Sequence, residues 1–183
     1  MRTARRRFAA DGALAATLDE IRRDAEVSVG ALYHHFPDKP TLAAAVYAEV
    51  MGDYQAGFTA MLRRHGTAEA GIRGGVAHHL RWVAANRSEA ALLLGDRLDS
   101  VELRDANRAF FAAVRDWWQP HHSYGVLRPM QAGITAALWI GPAQEFSRYW
   151  IVGDESRMPR GAAKTFADAA WMALRANAIE EED

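Results

Sequence analysis

The chain has 183 residues and a net charge of −1; half of it is hydrophobic, and it has no cysteine. Such a chain can bury a core in one or two domains, which excludes a disordered protein, a disulfide framework, thiolate metal sites and cysteine nucleophiles. The near balance of charge gives no broadly basic surface, so a nucleic-acid reading must rest on geometry.

Abundant alanine and the lack of β-branched runs and hairpin turn pairs predict an all-α fold. Helices are expected near 2–11, 18–25, 28–36, 39–64, 68–86, 88–95, 100–120, 129–152 and 160–178. In the first, Met1, Ala4 and Phe8 form a short inward stripe. Arg5, Arg6 and Arg7 beside it either grip phosphate or form a solvated face. Before residue 47, seven basic side chains meet six acidic ones, a faint basic bias. Thr17 ahead of Leu18-Asp19-Glu20 suits an N-cap with first-turn carboxylates. Pro37 ends the third helix and Asp38 caps the fourth.

The stretch "AEVSVGALYHHFPDK", residues 25–39, joins two short helices through a tight link at Glu26-Val27. That is helix-turn-helix spacing, in which the second helix enters a major groove. Ser28 caps that helix and offers its amide end to phosphate. Gly30 and Ala31 let the backbone approach a duplex. Leu32 and Phe36 point inward against Leu18 and Ile21, while Tyr33, His34 and Lys39 reach phosphates.

Further along, Ile72, Val76, Leu80 and Val83 form one helical stripe. Leu103, Phe110, Val114 and Trp117 form another, widened by Phe111 and Trp118. Asp99 and Glu102 have capping-box spacing, in a looser Asp form, for the helix that follows. "QPHHSYGVLRP", residues 119–129, reads as a linker. Pro142 should kink or break the helix spanning 129–152. Phe146, Tyr149, Trp150, Phe166 and Trp171 crowd the last two helices, where they serve either a subunit interface or the subunit's own core. The "EEED" tail reads as disordered.

Adjacent histidines at 34–35, 78–79 and 121–122 point about 100° apart and do not chelate one ion, and no HExxH spacing occurs. Neither a metal nor a cofactor is expected. No nucleophile–base–orienter trio, phosphate loop or carboxylate pair stands in a recognisable motif, so the chain does not read as an enzyme. No apolar run reaches the roughly 20 residues of a membrane span, and the amino-terminal arginines precede no signal-like apolar block. A cytoplasmic protein without a membrane partner is the expectation.

Phe8, Gly12, Ala15, Thr17, Leu18, Ile21, Ala25, "VS", Gly30, "LYHHF", Lys39 and Leu42 together resemble the DNA-binding domain of TetR-family transcriptional regulators. "ALWIGPAQEFSRYWIVG" resembles a segment of their regulatory domains. The resemblance implies a helix-turn-helix head over 1–47 and a helical regulatory and dimerisation domain over 48–183. By carry-over, Thr17, Tyr33, His34 and Lys39 contact phosphate, Ser28 and Gly30 adjoin the duplex, and Val29 and Ala31 face the groove. The partners implied are a double-stranded operator, a second copy of the chain and a small-molecule effector that releases a repressor. Leu80, Trp82, Phe110, Phe111, Val114 and Trp117 would line an apolar or aromatic effector site or ordinary core, with His78, His79, Arg81 or Asn107 as polar anchors. Phe146, Tyr149, Trp150, Phe166 and Trp171 would form the dimer interface.

Four features depart from the pattern. Glu26 replaces a turn glycine, so the turn either differs or carries modest strain. Val29 replaces a frequent lysine or arginine, and Ala13 a common aromatic. The chain starts almost inside its first helix, with Arg5 and Arg7 at positions often apolar, which reads as a truncated or late start. A binding module with weakened DNA affinity is the alternative.

Overall fold

A computed structural model describes residues 1–95, 100–153 and 155–176, with side chains except those of residues 9–15 and 102. Ten helices lie in this range: α1 (Arg2–Ala15), α2 (Leu18–Asp24), α3 (Val29–His35), α4 (Lys39–Leu62), α5 (Ala68–Ala85), α6 (Arg87–Leu94), α7 (Val101–Ser123), α8 (Ala132–Trp139), α9 (Gly141–Val152) and α10 (Ala162–Leu174). The all-α expectation holds among the described residues. The one β-like feature there is an isolated antiparallel bridge between Leu127 and Arg175.

Besides shifts of a few residues at other helix ends, the helices differ from expectation in three places. α1 runs to Ala15 instead of residue 11. α7 passes through Pro120 to Ser123, which shortens the expected linker. Pro120 has no N–H to donate to the Asp116 carbonyl, so α7 continues through it with one helical bond fewer. The segment expected as one helix over 129–152 breaks at Ile140, which ends α8 and begins α9. Pro142 then occupies the first turn of α9, where its missing N–H costs no helical bond. The expected pairing of Asp99 with Glu102 and the "EEED" tail lie outside the described residues.

The chain divides into two compact units. The first comprises residues 1–54 and 86–108, the second residues 55–85 and 109–183. Ala4, Phe8, Ile21, Leu32, Leu42, Val46, Val50 and Ala90 build the first core. Met1 is 45% exposed, so the expected stripe along α1 begins at Ala4. Arg5 lies partly buried among Glu49 (3.5 Å) and Asp53 of α4 and Glu89 of α6 (3.3 Å). Asp53, and after it Glu89, hold its guanidinium above its ordinary pKa, against the opposing effect of burial. Arg7 reaches Asp24 of α2 at 2.6 Å. Neither arginine belongs to a simple solvated face; Arg6 is more open, its side chain 72% exposed and 3.9 Å from Asp24.

In the second unit, Ile72, Val76, Leu80 and Val83 of α5 are all buried, as their spacing predicts. α5 packs against α8, α9 and α10. Glycines make room for two indoles there. A Cβ on Gly71 would lie 2.0 Å from Trp117 Cζ2, and one on Gly75 2.8 Å from Trp139 Nε1. Both indole N–H groups donate to carbonyls, Trp117 to His65 (3.0 Å) and Trp139 to Ile72 (2.9 Å). Buried polar atoms thus meet partners where the rings enter the core.

Candidate nucleic-acid interface

The geometry of residues 17–41 follows from local chemistry. At the start of α2, Thr17 and Glu20 form a capping box. The Glu20 amide donates to Thr17 Oγ1 (3.2 Å), and the Thr17 amide donates back to Glu20 Oε2 (2.9 Å). The Thr17 hydroxyl also donates to Glu20 Oε2 (2.7 Å). Thr17 is therefore committed to its own helix, and those bonds hold the Glu20 carboxyl below its ordinary pKa.

α2 ends in a Schellman turn. The Glu26 amide donates to the Arg23 carbonyl (3.1 Å) and the Val27 amide to the Arg22 carbonyl (3.3 Å). The motif needs a left-handed residue at Glu26, whose φ is 56°. The glycine-like turn is kept and glutamate bears the strain, which resolves the two sequence alternatives. The Arg22 guanidinium braces the turn from outside by donating to the Val27 carbonyl (3.4 Å).

Ser28 then caps α3, its Oγ accepting from the Ala31 amide at 3.1 Å. Leu32 alone in α3 is buried, and Phe36 beyond it is half-buried. Phe36 leaves the helix in extended backbone ahead of Pro37. Asp38 Oδ1 accepts from the Thr41 amide (2.8 Å), as expected of a cap for α4, and the Thr41 hydroxyl, followed by this amide, keeps its carboxyl below the usual range.

With Leu32 inward, helical spacing turns Gly30 and His34 outward, flanked by Ala31 and Tyr33. All four are exposed, as is Val29 at 55%. A Cβ on Gly30 would meet nothing within 4 Å. Lys39, at the start of α4, is half-buried. The expected DNA-facing residues from Ser28 to His34 thus share one exposed stretch of α3 and its cap.

The expected effector-site residues scatter more widely. Leu80 is fully buried, Trp82, Phe110, Val114 and Trp117 are half-buried, and Phe111 is 59% exposed. Phe110 meets Phe58 edge-on with ring centroids 5.7 Å apart, and Trp117 stacks on Trp139 at 5.9 Å. Phe58 also meets His78 (5.7 Å) and Trp139 (5.6 Å). Phe58 and Trp139 are the hubs of this cluster, and sequence reasoning missed both. The glycines at 71, 74 and 75 within an apolar stripe were the signal available.

His79 lies buried beside the cluster. The Ser147 hydroxyl donates to the Ala143 carbonyl (2.8 Å), leaving its oxygen to accept from His79 Nε2–H at 3.3 Å. Burial, reinforced by neighbouring His78, lowers the His79 pKa to about 4, so the ring is neutral at pH 7. Of the expected interface residues, Tyr149 is 72% exposed, Phe146 and Phe166 pack on each other (5.1 Å), Trp171 is half-buried and Trp150 is buried. Ile134, Leu138, Val152 and Met172 are further exposed apolar side chains on α8, α9 and α10. Among the described residues no group of three or more His, Cys, Asp or Glu side chains could hold a metal, and no helix is long and apolar enough to cross a membrane.

Residues 1–46 match the family model of bacterial regulatory proteins, tetR family. No curated protein sequence matches the chain. Among solved structures, a TetR-family regulator from Shewanella is similar at 19% identity, with 96% of each chain covered and a TM-score of 0.77. A TetR-family regulator from Marinobacter aquaeolei is 16% identical, over 96% of this chain and 93% of that one, with a TM-score of 0.78. The regulator FadR from Bacillus subtilis, solved in complex with stearoyl-CoA, is 15% identical over 92% and 94%, with a TM-score of 0.73. At these identities the shared property is the fold. The likeness at family level rests on the head: residues 1–46 match the tetR family of bacterial regulatory proteins, and the rest of the chain shares the fold of the solved structures.

Proposed function

We propose that the protein is a ligand-responsive repressor that binds a double-stranded operator as a homodimer in the cytoplasm. The observation that carries this reading is the outer face of α3. A Schellman turn and a serine cap hold Val29, Gly30, Ala31, Tyr33 and His34 outward, on a helix whose one buried residue is Leu32. Tyr33, His34 and Lys39 contact phosphates, and Ser28 and Gly30 bring the α3 backbone against the duplex. Thr17 reaches a phosphate only by releasing Glu20.

The effector is a small apolar or aromatic molecule held among the rings of the second unit. Support comes from the aromatic content around Phe58, Phe110 and Trp139 and from the stearoyl-CoA held by the Bacillus subtilis relative. Its binding shifts a population of head settings, altering the separation of two recognition helices that must lie about 34–36 Å apart. The dimer face draws on exposed apolar residues, Tyr149 with Val152, Ile134, Leu138 and Met172.

Two measurements test this. The full chain should retain specific duplexes from a random pool and elute as a dimer. Acyl-CoAs or aromatic acids should then raise its melting temperature and release the duplex. A chain that retains no duplex at low salt, or whose retention no such compound alters, contradicts the corresponding half of the proposal.

A further inference from the structure

Most helix-turn-helix proteins read bases with hydrogen-bonding side chains near the start of the recognition helix. Here that part of the outer face consists of Val29, Gly30 and Ala31, all exposed and none with a side-chain donor or acceptor. The Ser28 oxygen is held in the cap by the Ala31 amide. Tyr33 and His34 stand one turn farther on.

Two observations suit an occupant outside the fold. Val29 leaves a branched apolar side chain 55% exposed, at a position where helix propensity gives no reason for valine. Gly30 lacks a side chain although a Cβ there would meet nothing within 4 Å and its backbone is not left-handed. Neither packing nor conformation within the protein calls for a glycine. A surface pressing against the helix does, because the two short side chains flanking Gly30 reach a groove floor only if the backbone comes close.

The major groove offers such side chains one apolar target, the 5-methyl group of thymine. We propose that α3 reads its operator mainly through thymine methyl groups packed against Val29 and Ala31, with Gly30 setting the close approach. This rests on the DNA-binding reading above and gives it a sequence content: A·T pairs opposite the first turn of α3 in each half-site. Hydrogen bonds from Tyr33 and His34 position the helix without choosing those bases.

The test uses the full-length protein and a duplex selected from a random pool at one fixed salt concentration. Each thymine is replaced in turn by deoxyuridine, which removes the methyl group and keeps the pairing. One or two positions per half-site should weaken binding about three- to fivefold, the effect of one buried methyl. Substituting both half-sites should weaken it by about tenfold or more. Val29→Ala should lower affinity for the thymine duplex and abolish the difference at one of those positions. Because the deoxyuridine arm uses the unaltered protein, it stands even if a variant folds poorly. Specific binding that is insensitive to deoxyuridine throughout, or enriched sites with G·C pairs opposite α3, overturns the inference and leaves the DNA-binding reading intact. A pool without any enriched sequence overturns both.

Discussion

The head and the second unit are held by different chemistry. Around α1 to α4 the fixing contacts are local and polar: the Thr17–Glu20 box, the turn at Glu26, the Ser28 and Asp38 caps and the arginine–carboxylate pairs of Arg5 and Arg7. The second unit has an ion-pair group of its own, Arg73 with Glu69 and Asp168, but is held mainly by fit, with two indoles set into glycine notches on α5 and aromatic edges meeting aromatic faces. Local polar contacts set the angle of an exposed face that needs few buried atoms. Interlocking rings define an interior whose shape depends on every neighbour.

The sharpest way to break this contrast is to remove an indole. Trp139→Ala forfeits the contacts with Phe58, Trp117 and Trp118 and the bond to the Ile72 carbonyl. It should cost about 4 kcal/mol of stability in chemical denaturation. A cost under about 1 kcal/mol would mean that fit matters less than stated.

Acid should separate the two chemistries next. His79 has a lower pKa folded than unfolded, so stability is full above about 6.5 and falls as the unfolded chain takes up a proton. The loss continues down to about pH 4 and amounts to about 3 kcal/mol. His79→Gln should flatten stability over that range. The head carboxylates Asp19, Glu20, Asp24 and Asp38 are held below their ordinary values. Their contribution is present above about pH 4 and is lost as pH falls further. A denaturation profile flat between pH 7 and pH 5 would contradict the role given to His79.

The polar side is sharpened by Glu26→Gly, which removes a side chain from a left-handed position. It should raise stability by about 1 kcal/mol, measured by the denaturation midpoint. Smallest in stability is Gly30→Ala. With nothing within 4 Å of the added Cβ, it should raise stability by about 0.8 kcal/mol or less through helix propensity.

The same contrast explains what could be read before the fold was known. Thr17, Ser28, Pro37 and Asp38 act on neighbours within four residues, so their spacing suffices to place the starts of α2, α3 and α4. The break before Pro142 was legible for the same reason. Phe58 and Trp139 were not, because their partners lie on helices distant in sequence. Arg5 looked like part of a basic run because the sequence does not tell which carboxylates of α4 and α6 will surround it. Trp150 is buried whereas Tyr149, grouped with it in sequence, is exposed, since neighbouring helix positions divide between faces that composition does not distinguish.

The central claim is that the outer face of α3 is shaped to lie against a duplex. Its most direct test is the affinity of Gly30→Ala for a selected operator, measured beside its melting temperature. The account predicts a variant that melts no lower than the parent and binds about tenfold more weakly, the cost of an extra methyl in a tight contact. Binding within twofold of the parent, with the fold intact, would contradict it.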